Sequence, residues 1–339
     1  MIFVTPKKMI SNDINLAVQH LNQNGIIGFP TETVYGLAGN AFNTAAIHKI
    51  FDVKKRPTFN PLIVHIKGIE DLDKVATDIP SIAYELANVF WPGPLTFILK
   101  KQPHIPDLVT ANQDTVAVRV PNHPIALELL NKLEYPLVAP SANPFTSISP
   151  TTANHVEDYF ANQIDMVLEG GICKAGIEST IVGFNNNKVV LYRLGALPVE
   201  AIEKITGSLI VSNKKEKKTI TPGMFLKHYA PKTDFILTRN VKEELDWYSG
   251  KKIGLLLFNE FEPDFNPTYQ RVLSEDGDLK QAASKLYEVL HELDKMNLEV
   301  IIAERFPEYG LGNSINDRLE RASKKDNIIT NYLTTENEF

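Results

Sequence analysis

Cysteine is all but absent. Cys173 is the only one in 339 residues, which excludes an intrachain disulfide and a thiolate metal cluster. A lone thiol reads as a small core or surface residue before it reads as a nucleophile. No apolar run approaches the ~20 residues that cross a bilayer. The start, Met1-Ile-Phe-Val-Thr-Pro-Lys-Lys8, lacks the basic-then-apolar order of a secretory signal, so a cytoplasmic protein without membrane association is expected. A basic excess is missing too: 35 Lys and Arg stand against 41 Asp and Glu, a net charge of −6. Strong direct binding to nucleic acid is therefore not expected, and any RNA contact needs a local basic patch. The chain has no Gly-x-x-x-x-Gly-Lys-Ser/Thr phosphate loop, no Gly-x-Ser-x-Gly elbow, and no His-Glu-x-x-His among its eight histidines. These absences exclude a P-loop cradle and weaken serine hydrolase and built-in zinc chemistry.

What is present is the make-up of a globular protein, 43% apolar and 22% charged, long enough for about two domains. Ser11-Asn-Asp13 caps a helix through Ile14, Val18 and Leu21 that stops at Gly25. Further helices are expected near Thr44–Val53, Ser81–Phe90, Pro124–Lys132 and Thr151–Phe160. Strands are expected near Ile26–Phe29, Leu62–Ile66, Leu95–Leu99, Val116–Val120, Leu137–Ala139 and Met166–Leu168. Ser179–Phe184 and Val189–Tyr192 read as a hairpin across Asn185-Asn-Asn-Lys188. Strands and helices mingle without strict alternation, which predicts an open, twisted mixed sheet with helices packed on it. That domain closes with a helix at Pro198–Ile205 and Gly207. The charged stretch around Lys214-Lys-Glu-Lys-Lys218 has the composition of an exposed tether. Beyond it, Phe235–Leu237, Ile253–Phe258 and Val300–Ala303 alternate with helical segments at Val241–Tyr248 and Leu279–Leu293. The alternation predicts a smaller, Rossmann-like parallel α/β domain. No Gly-x-Gly-x-x-Gly follows its first strand, so a dinucleotide site there is not expected.

The chemistry gathers at strand ends. Phe29-Pro-Thr-Glu-Thr-Val-Tyr-Gly36 carries a short apolar strand into a turn crowded with hydroxyls. Lys54-Lys-Arg56-Pro-Thr-Phe-Asn60-Pro-Leu-Ile-Val-His65 carries two cations and an amide into a strand that ends in a histidine. A lysine and a planar arginine fork suit a polyphosphate, although cations closing a helix also simply answer its dipole. Arg119 lies in the apolar strand Val116-Ala-Val-Arg119-Val-Pro121 and needs an anion, either a structural carboxylate or a ligand's. The residues alone slightly favour the structural ion pair. Ala139-Pro-Ser141-Ala-Asn143-Pro, Ser147-Ile-Ser149-Pro-Thr-Thr152, Gly170-Gly171 and Gly176-Ile-Glu178-Ser179-Thr180 are loops of small polar groups. They read either as turn and cap chemistry or as a rigid rim of donors around a small ligand, with glycines permitting close approach.

Taken with Trp91-Pro-Gly-Pro-Leu-Thr96, Arg193-Leu-Gly195, Pro222-Gly-Met-Phe-Leu-Lys-His228-Tyr229-Ala-Pro231 and Pro307-Glu-Tyr-Gly-Leu-Gly312-Asn-Ser-Ile-Asn-Asp-Arg318, these stretches resemble the Sua5 branch of the Sua5/YrdC family, the threonylcarbamoyl-AMP synthases. The resemblance runs to about residue 323 and implies a two-domain form. Its expected parts are a YrdC-like catalytic domain at 1–207, a linker at 208–232 reaching over the active site, and a C-terminal Sua5 domain at 233–339. It implies synthesis of L-threonylcarbamoyl-adenylate from L-threonine, bicarbonate or CO2, and ATP, with release of pyrophosphate. The product passes to a threonylcarbamoyl transferase that builds t6A at position 37 of tRNA. Carried over by motif, Thr33, His65, Arg119, the backbone at Ala139 and Ser179 hold L-threonine. Lys54, Arg56, Asn60, Thr115, Ser141, Asn143, Ser149 and Arg193 line the ATP side, and Tyr229 closes over the nucleotide. Lys54 and Arg56 are the implied catalytic pair, with Mg2+ held mainly by ATP and no metal ligand assigned to the protein.

Three positions depart from the family's habit. Lys55 and Thr146 stand where glycine is common, and Leu194 stands where proline is common. Two other readings are weighed against the enzyme. An RNA-binding module is disfavoured by the acidic balance and the lack of interleaved aromatic and basic stripes. A carbamoyl-transfer maturation enzyme is disfavoured by the missing zinc-finger cysteines.

Overall fold

The computed structural model describes residues 9–185, 188–212 and 228–324. They fall into two compact units, 9–145 with 149–212 and 146–148 with 228–324. The segment around Lys214–Lys218 and most of the expected linker lie outside the described residues.

The first unit is built on a mixed sheet of twelve strands among the described residues. Across the sheet the order is Ile10–Ser11, Met166–Leu168, Ile27–Phe29, Gly36–Asn40, Leu137–Val138, Ile63–His65, Thr115–Arg119, Leu95–Lys101, Thr180–Asn185, Lys188–Arg193 and Ile210–Val211, with Ala76–Thr77 paired to Leu95–Lys101. The expected hairpin is present, with Asn185 opposite Lys188. Helices Ile14–Asn22 and Pro124–Asn131 cover an apolar cluster of Leu21, Ile27, Phe29, Leu129 and Leu137. A larger cluster gathers Ile47, Ile50, Leu86, Phe97, Val118 and Val182 from helices and strands on both sides of the chain's midpoint. Asp13 caps the first helix by accepting from Asn15 N and Leu16 N. Thr152, rather than Thr151, caps the helix Ala153–Phe160.

Four strands of this unit were not foreseen, Ile10–Ser11, Gly36–Asn40, Ala76–Thr77 and Ile210–Val211. Gly36–Asn40 has almost no β-branched side chains, yet it is a central strand because small residues let a helix lie close. A Cβ on Gly39 would meet Ile50 and Ala46 of the helix Thr44–Lys54 at 3.2 and 3.4 Å. Ile210–Val211 pairs in parallel with Lys188–Arg193, so the sheet continues past Gly207.

The second unit carries a four-stranded, all-parallel sheet in the order Asp234–Thr238, Val300–Glu304, Ile253–Leu257, Gln270–Val272. Helices Val241–Trp247, Leu279–Asp294 and Leu311–Ala322 connect and follow these strands. Gln270–Val272, too short and polar to show a period, is the strand that the sequence does not announce.

Two of the sequence's departures acquire a physical meaning here. Lys55 ends the helix Thr44–Lys54 in the left-handed region, at φ 51° and ψ 41°, and Thr146 has φ 73°. Side chains other than glycine are strained there. We expect Lys55→Gly to raise the free energy of unfolding by roughly 0.5–1 kcal/mol, net of the extra chain entropy that glycine gains when unfolded. Urea denaturation reads this directly. A loss of stability instead would show that the Lys55 side chain outweighs the strain.

Candidate functional site

Two parallel strands set the axis of the site. Ile63–His65 pairs with Thr115–Arg119 so that His65 lies beside Arg119. Thr115 and Arg119 occupy the two ends of the same five-residue strand, about 13 Å apart at ~3.3 Å per residue. Of the residues assigned to threonine, Thr33 and His65 stand at the Arg119 end, while Ala139 is bonded to Ile63. Of those assigned to ATP, Lys54, Arg56 and Asn60 precede the strand Ile63–His65, Ser141, Asn143 and Ser149 follow Val138, and Arg193 ends the strand Lys188–Arg193.

Arg119 is 3% exposed. Its Nε donates to the carbonyl of Gly93 at 3.2 Å and its Nη1 to Thr33 Oγ1 at 2.9 Å. Its Nη2 lies 2.5 Å from Glu32 Oε1. This contact is an ion pair without hydrogen-bond geometry, so both atoms keep bonding capacity. The sequence left open whether the anion of Arg119 was structural or a ligand's, and the structure supplies a structural one, Glu32. Glu32 is the residue that sequence reasoning passed over. It sits in the quoted Pro-Thr-Glu-Thr turn, where a carboxylate reads as solvent-facing, yet it is 7% exposed. The available signal was Arg119 itself, since a buried arginine requires a carboxylate nearby. Glu32 also accepts from Asn122 N at 3.0 Å, and its carbonyl accepts from Ala175 N at 2.7 Å, tying three loops together.

Hydroxyl protons around Thr33 are already committed. Thr31 Oγ1 donates to the carbonyl of Val34 at 2.7 Å, so in its 2.9 Å contact with Thr33 the proton comes from Thr33. Thr33 therefore faces the pocket as an acceptor. His65 Nδ1 lies 3.2 Å from the carbonyl of Ile63. That nitrogen must carry the proton, which leaves Nε2 with a lone pair. Burial, with help from Arg119, lowers the His65 pKa to about 3, so the ring is neutral near pH 7. The same Ile63 carbonyl accepts from Ala139 N at 3.0 Å. Ala139 can thus offer a ligand only its carbonyl oxygen.

The Trp91–Thr96 turn stitches Ser179 to this group. Gly93 receives Arg119, Pro94 accepts from Thr180 N at 2.9 Å, and Thr96 Oγ1 lies 2.7 Å from Ser179 Oγ. Arg193 donates from Nε and Nη2 to the Ser179 carbonyl at 3.1 and 2.8 Å, and from Nη2 to its hydroxyl at 3.1 Å. Residues assigned to opposite ends of the reaction are thereby bonded to each other. Thr96, another residue not singled out, is the link between Ser179 and the central strands.

On the nucleotide side, Lys54 is 1% exposed and donates to the carbonyls of Ser141, at 2.5 Å, and of Asn143. Burial first, and the neighbouring Arg56 second, push its pKa well below that of an ordinary lysine. Arg56 donates from Nε to the carbonyl of Asn60 at 3.2 Å and from Nη2 to that of Pro61 at 2.8 Å. Asn60 is wholly buried, and neither its side-chain oxygen nor its nitrogen has a partner among the described residues. An orphaned buried amide is costly, and such a group marks a place where a ligand atom belongs. Ser149 donates to Glu178 Oε1 at 2.6 Å, and Asn143 donates from Nδ2 to the carbonyl of Pro144 at 2.9 Å.

The Gly170-Gly171 loop behaves differently from a ligand rim. A Cβ on Gly170 would meet Pro30 at 2.3 Å. Gly170 N donates to Tyr35 Oη, which in turn donates to the carbonyl of Gly171, both at 2.9 Å. The close approach that glycine allows here is to the protein's own turn. Tyr229 belongs to the second unit, where it stacks on Tyr287 at 5.7 Å with Arg318 5.4 Å over its ring. Asn316 of the C-terminal motif binds both the N–H and the carbonyl of Phe306 at 2.9 Å. Within that unit the motif acts as scaffold.

Known proteins resemble the chain over most of its length. The family described as Telomere recombination matches residues 19–195, and that described as Threonylcarbamoyl-AMP synthase, C-terminal domain, matches residues 197–324. The threonylcarbamoyl-AMP synthase of Pyrococcus abyssi is 37% identical over 324 residues, covering 91% of this chain and 94% of that protein. That of Bacillus subtilis is 37% identical over 328 residues, covering 93% and 95%. The crystal structure of P. abyssi Sua5 complexed with L-threonine superposes with a TM-score of 0.86 at 37% identity, over 91% of this chain and 94% of that one. A variant of the same protein with a histidine and a tyrosine replaced by alanine gives a TM-score of 0.84 at 34% identity, over 94% and 96%.

Proposed function

Because the chain belongs to the Sua5-type threonylcarbamoyl-AMP synthases, whose activity serves the t6A modification of tRNA, we propose that the Arg119 cluster holds L-threonine and the Lys54–Arg56 cluster holds ATP. The observation that carries this reading is the committed proton pattern around Arg119. The guanidinium retains donors for a carboxylate, while Thr33, His65 Nε2 and the Ala139 carbonyl all face as acceptors suited to an amine and a hydroxyl.

In this mechanism the threonine amine, positioned by those acceptors, takes up CO2 or bicarbonate to give an N-carboxylate. One carboxylate oxygen then attacks the α-phosphorus of ATP, the bond from that phosphorus to the α,β-bridging oxygen breaks, and pyrophosphate leaves. Such a transfer asks for alignment and charge neutralisation more than for a strong base. Arg56, buried and held by carbonyls, is a fixed cation for the charge that grows on the departing pyrophosphate, and Lys54, held in the same way, is charged beside it once the phosphates raise its pKa. Arg193, bonded to Ser179, places the nucleotide side against the amino-acid side. Asn60 gives its orphaned amide to the nucleotide, and Thr115, Ser141, Asn143 and Ser149 complete that side. Tyr229 enters this proposal through its motif, His228-Tyr-Ala-Pro231. The side chains assigned to this side are cations, amides and hydroxyls without a carboxylate, a set that takes phosphate oxygens. Mg2+ is accordingly proposed to arrive on the triphosphate, held mainly by ATP and water. It supplies further neutralisation of phosphate charge when bound. The product is passed to an enzyme that transfers the threonylcarbamoyl group to tRNA.

The test is pyrophosphate release from ATP and Mg2+ with L-threonine or bicarbonate omitted in turn. Release that needs both supports the assignment. Release indifferent to threonine sinks it and points to another acyl group.

A further inference from the structure

A buried pocket that carries one fixed charge pair constrains the charge of its ligand, and the pocket read above as the L-threonine site is of this kind. Arg119 and Glu32 form an ion pair in it, with side chains 4% and 9% exposed. His65 is neutral there. His123, which feels the Glu32 charge, has its pKa lowered by burial and donates from Nε2 to the Gly170 carbonyl, 3.0 Å away, so it too is uncharged near pH 7. The charges of Arg119 and Glu32 thus cancel before any substrate enters, and neither histidine adds to them, while the nearby Arg193 is taken up by Ser179.

A guanidinium has five N–H groups. Two of those on Arg119 are directed at Gly93 and Thr33, and Nη2 faces Glu32. A ligand carboxylate that takes the remaining N–H groups meets a cation already neutralised. It also lies within about 5 Å of the Glu32 carboxylate, given ordinary hydrogen-bond lengths. Two carboxylates that close in a dry site repel strongly unless a second cation accompanies them. An α-amino acid brings that cation as its own ammonium group.

Resting on that reading of the pocket, we propose that Glu32 is a specificity-determining residue. By cancelling the charge of Arg119 it makes the pocket accept the amino acid as a zwitterion and reject the 2-hydroxy acid of the same skeleton, which enters as a bare monoanion. Selection for the amine is thereby made at binding, before the amine is needed for chemistry.

The experiment is calorimetric titration of the full chain, without nucleotide, with L-threonine and with its 2-hydroxy analogue. The wild-type protein is expected to favour threonine. In Glu32→Gln, which keeps the shape and the acceptor for Asn122 N but removes the charge, the ratio of threonine affinity to hydroxy-acid affinity falls about tenfold or more. The hydroxy acid then binds more tightly than it does to the wild type. In Glu32→Asp the charge stays, and the wild-type ratio is retained even where both affinities drop. Equal weakening of both ligands in Glu32→Gln, or collapse of the ratio in Glu32→Asp, overturns the proposal and leaves Glu32 as a support for Arg119. Failure of the wild-type protein to bind threonine at all overturns the pocket assignment itself.

Discussion

Arg119→Ala abolishes threonine-dependent pyrophosphate release, with kcat/KM for threonine lower by about 10²–10³-fold or more. The size follows from what one side chain does here. It is a buried cation that bonds to the Gly93 carbonyl and the Thr33 hydroxyl while pairing with Glu32. Alanine removes the carboxylate anchor and also strands Glu32 as a buried, unpaired charge, which costs stability by ~3–5 kcal/mol. The single variant therefore mixes two effects, and a second separates them. Arg119→Ala combined with Glu32→Gln removes the stranded charge, so thermal stability recovers toward wild type while activity stays lost. Arg119→Lys keeps the charge but offers a point in place of a fork. It cannot serve Gly93, Thr33 and a substrate carboxylate together, and it falls between the extremes, about 10–100-fold down. A folded double variant with undiminished dependence on threonine would mean that the carboxylate is held elsewhere.

The legible part of this molecule was whatever had a local cause. The cap at Asp13, the hairpin at Asn185–Lys188 and the apolar strand before Thr31 follow from periodicity and turn chemistry that act within a few residues. Strands made by long-range contact were not legible. Gly36–Asn40 exists because a helix can press against its small side chains, and Ile10–Ser11 because Met166–Leu168 lies beside it. The site divides in the same way. Arg119 and the Lys54–Arg56 pair announce themselves because buried charge is conspicuous in a sequence. Glu32 and Thr96 do not, since nothing in their own neighbourhoods distinguishes a partner from a solvated turn residue. The resemblance to a family carried over ligands of the substrate and left out what holds those ligands in place. It named Ser179, for example, and left out the Thr96 hydroxyl 2.7 Å from it. The habitual glycines at positions 55 and 146 became intelligible only with the positive φ angles in view.

Lys54→Met lowers kcat by about 10²–10³-fold while threonine affinity stays close to wild type, a split that separates it from Arg119→Ala. Methionine keeps the volume and the apolar stem, so the change removes donors and charge from a site that is otherwise filled. The deeper test concerns protons. In the free protein, burial and the adjacent Arg56 hold the Lys54 pKa well below its ordinary value. A neutral amine has two N–H groups, and the carbonyls of Ser141 and Asn143 take two. The third N–H, the one left to reach a phosphate oxygen, exists only on the ammonium form. A triphosphate arriving beside Lys54 and Arg56 adds negative charge and raises the lysine pKa again. Binding of ATP must then take up protons at pH values between the free and bound pKa of Lys54. Titration calorimetry in buffers of different ionisation enthalpy, scanned from about pH 7 to about pH 10, reads that uptake as a buffer-dependent heat. The uptake disappears in Lys54→Met. Uptake of the same size in that variant would place the titrating group elsewhere, and none in the wild type at any pH in the range would show that Lys54 meets the phosphates with its charge unchanged.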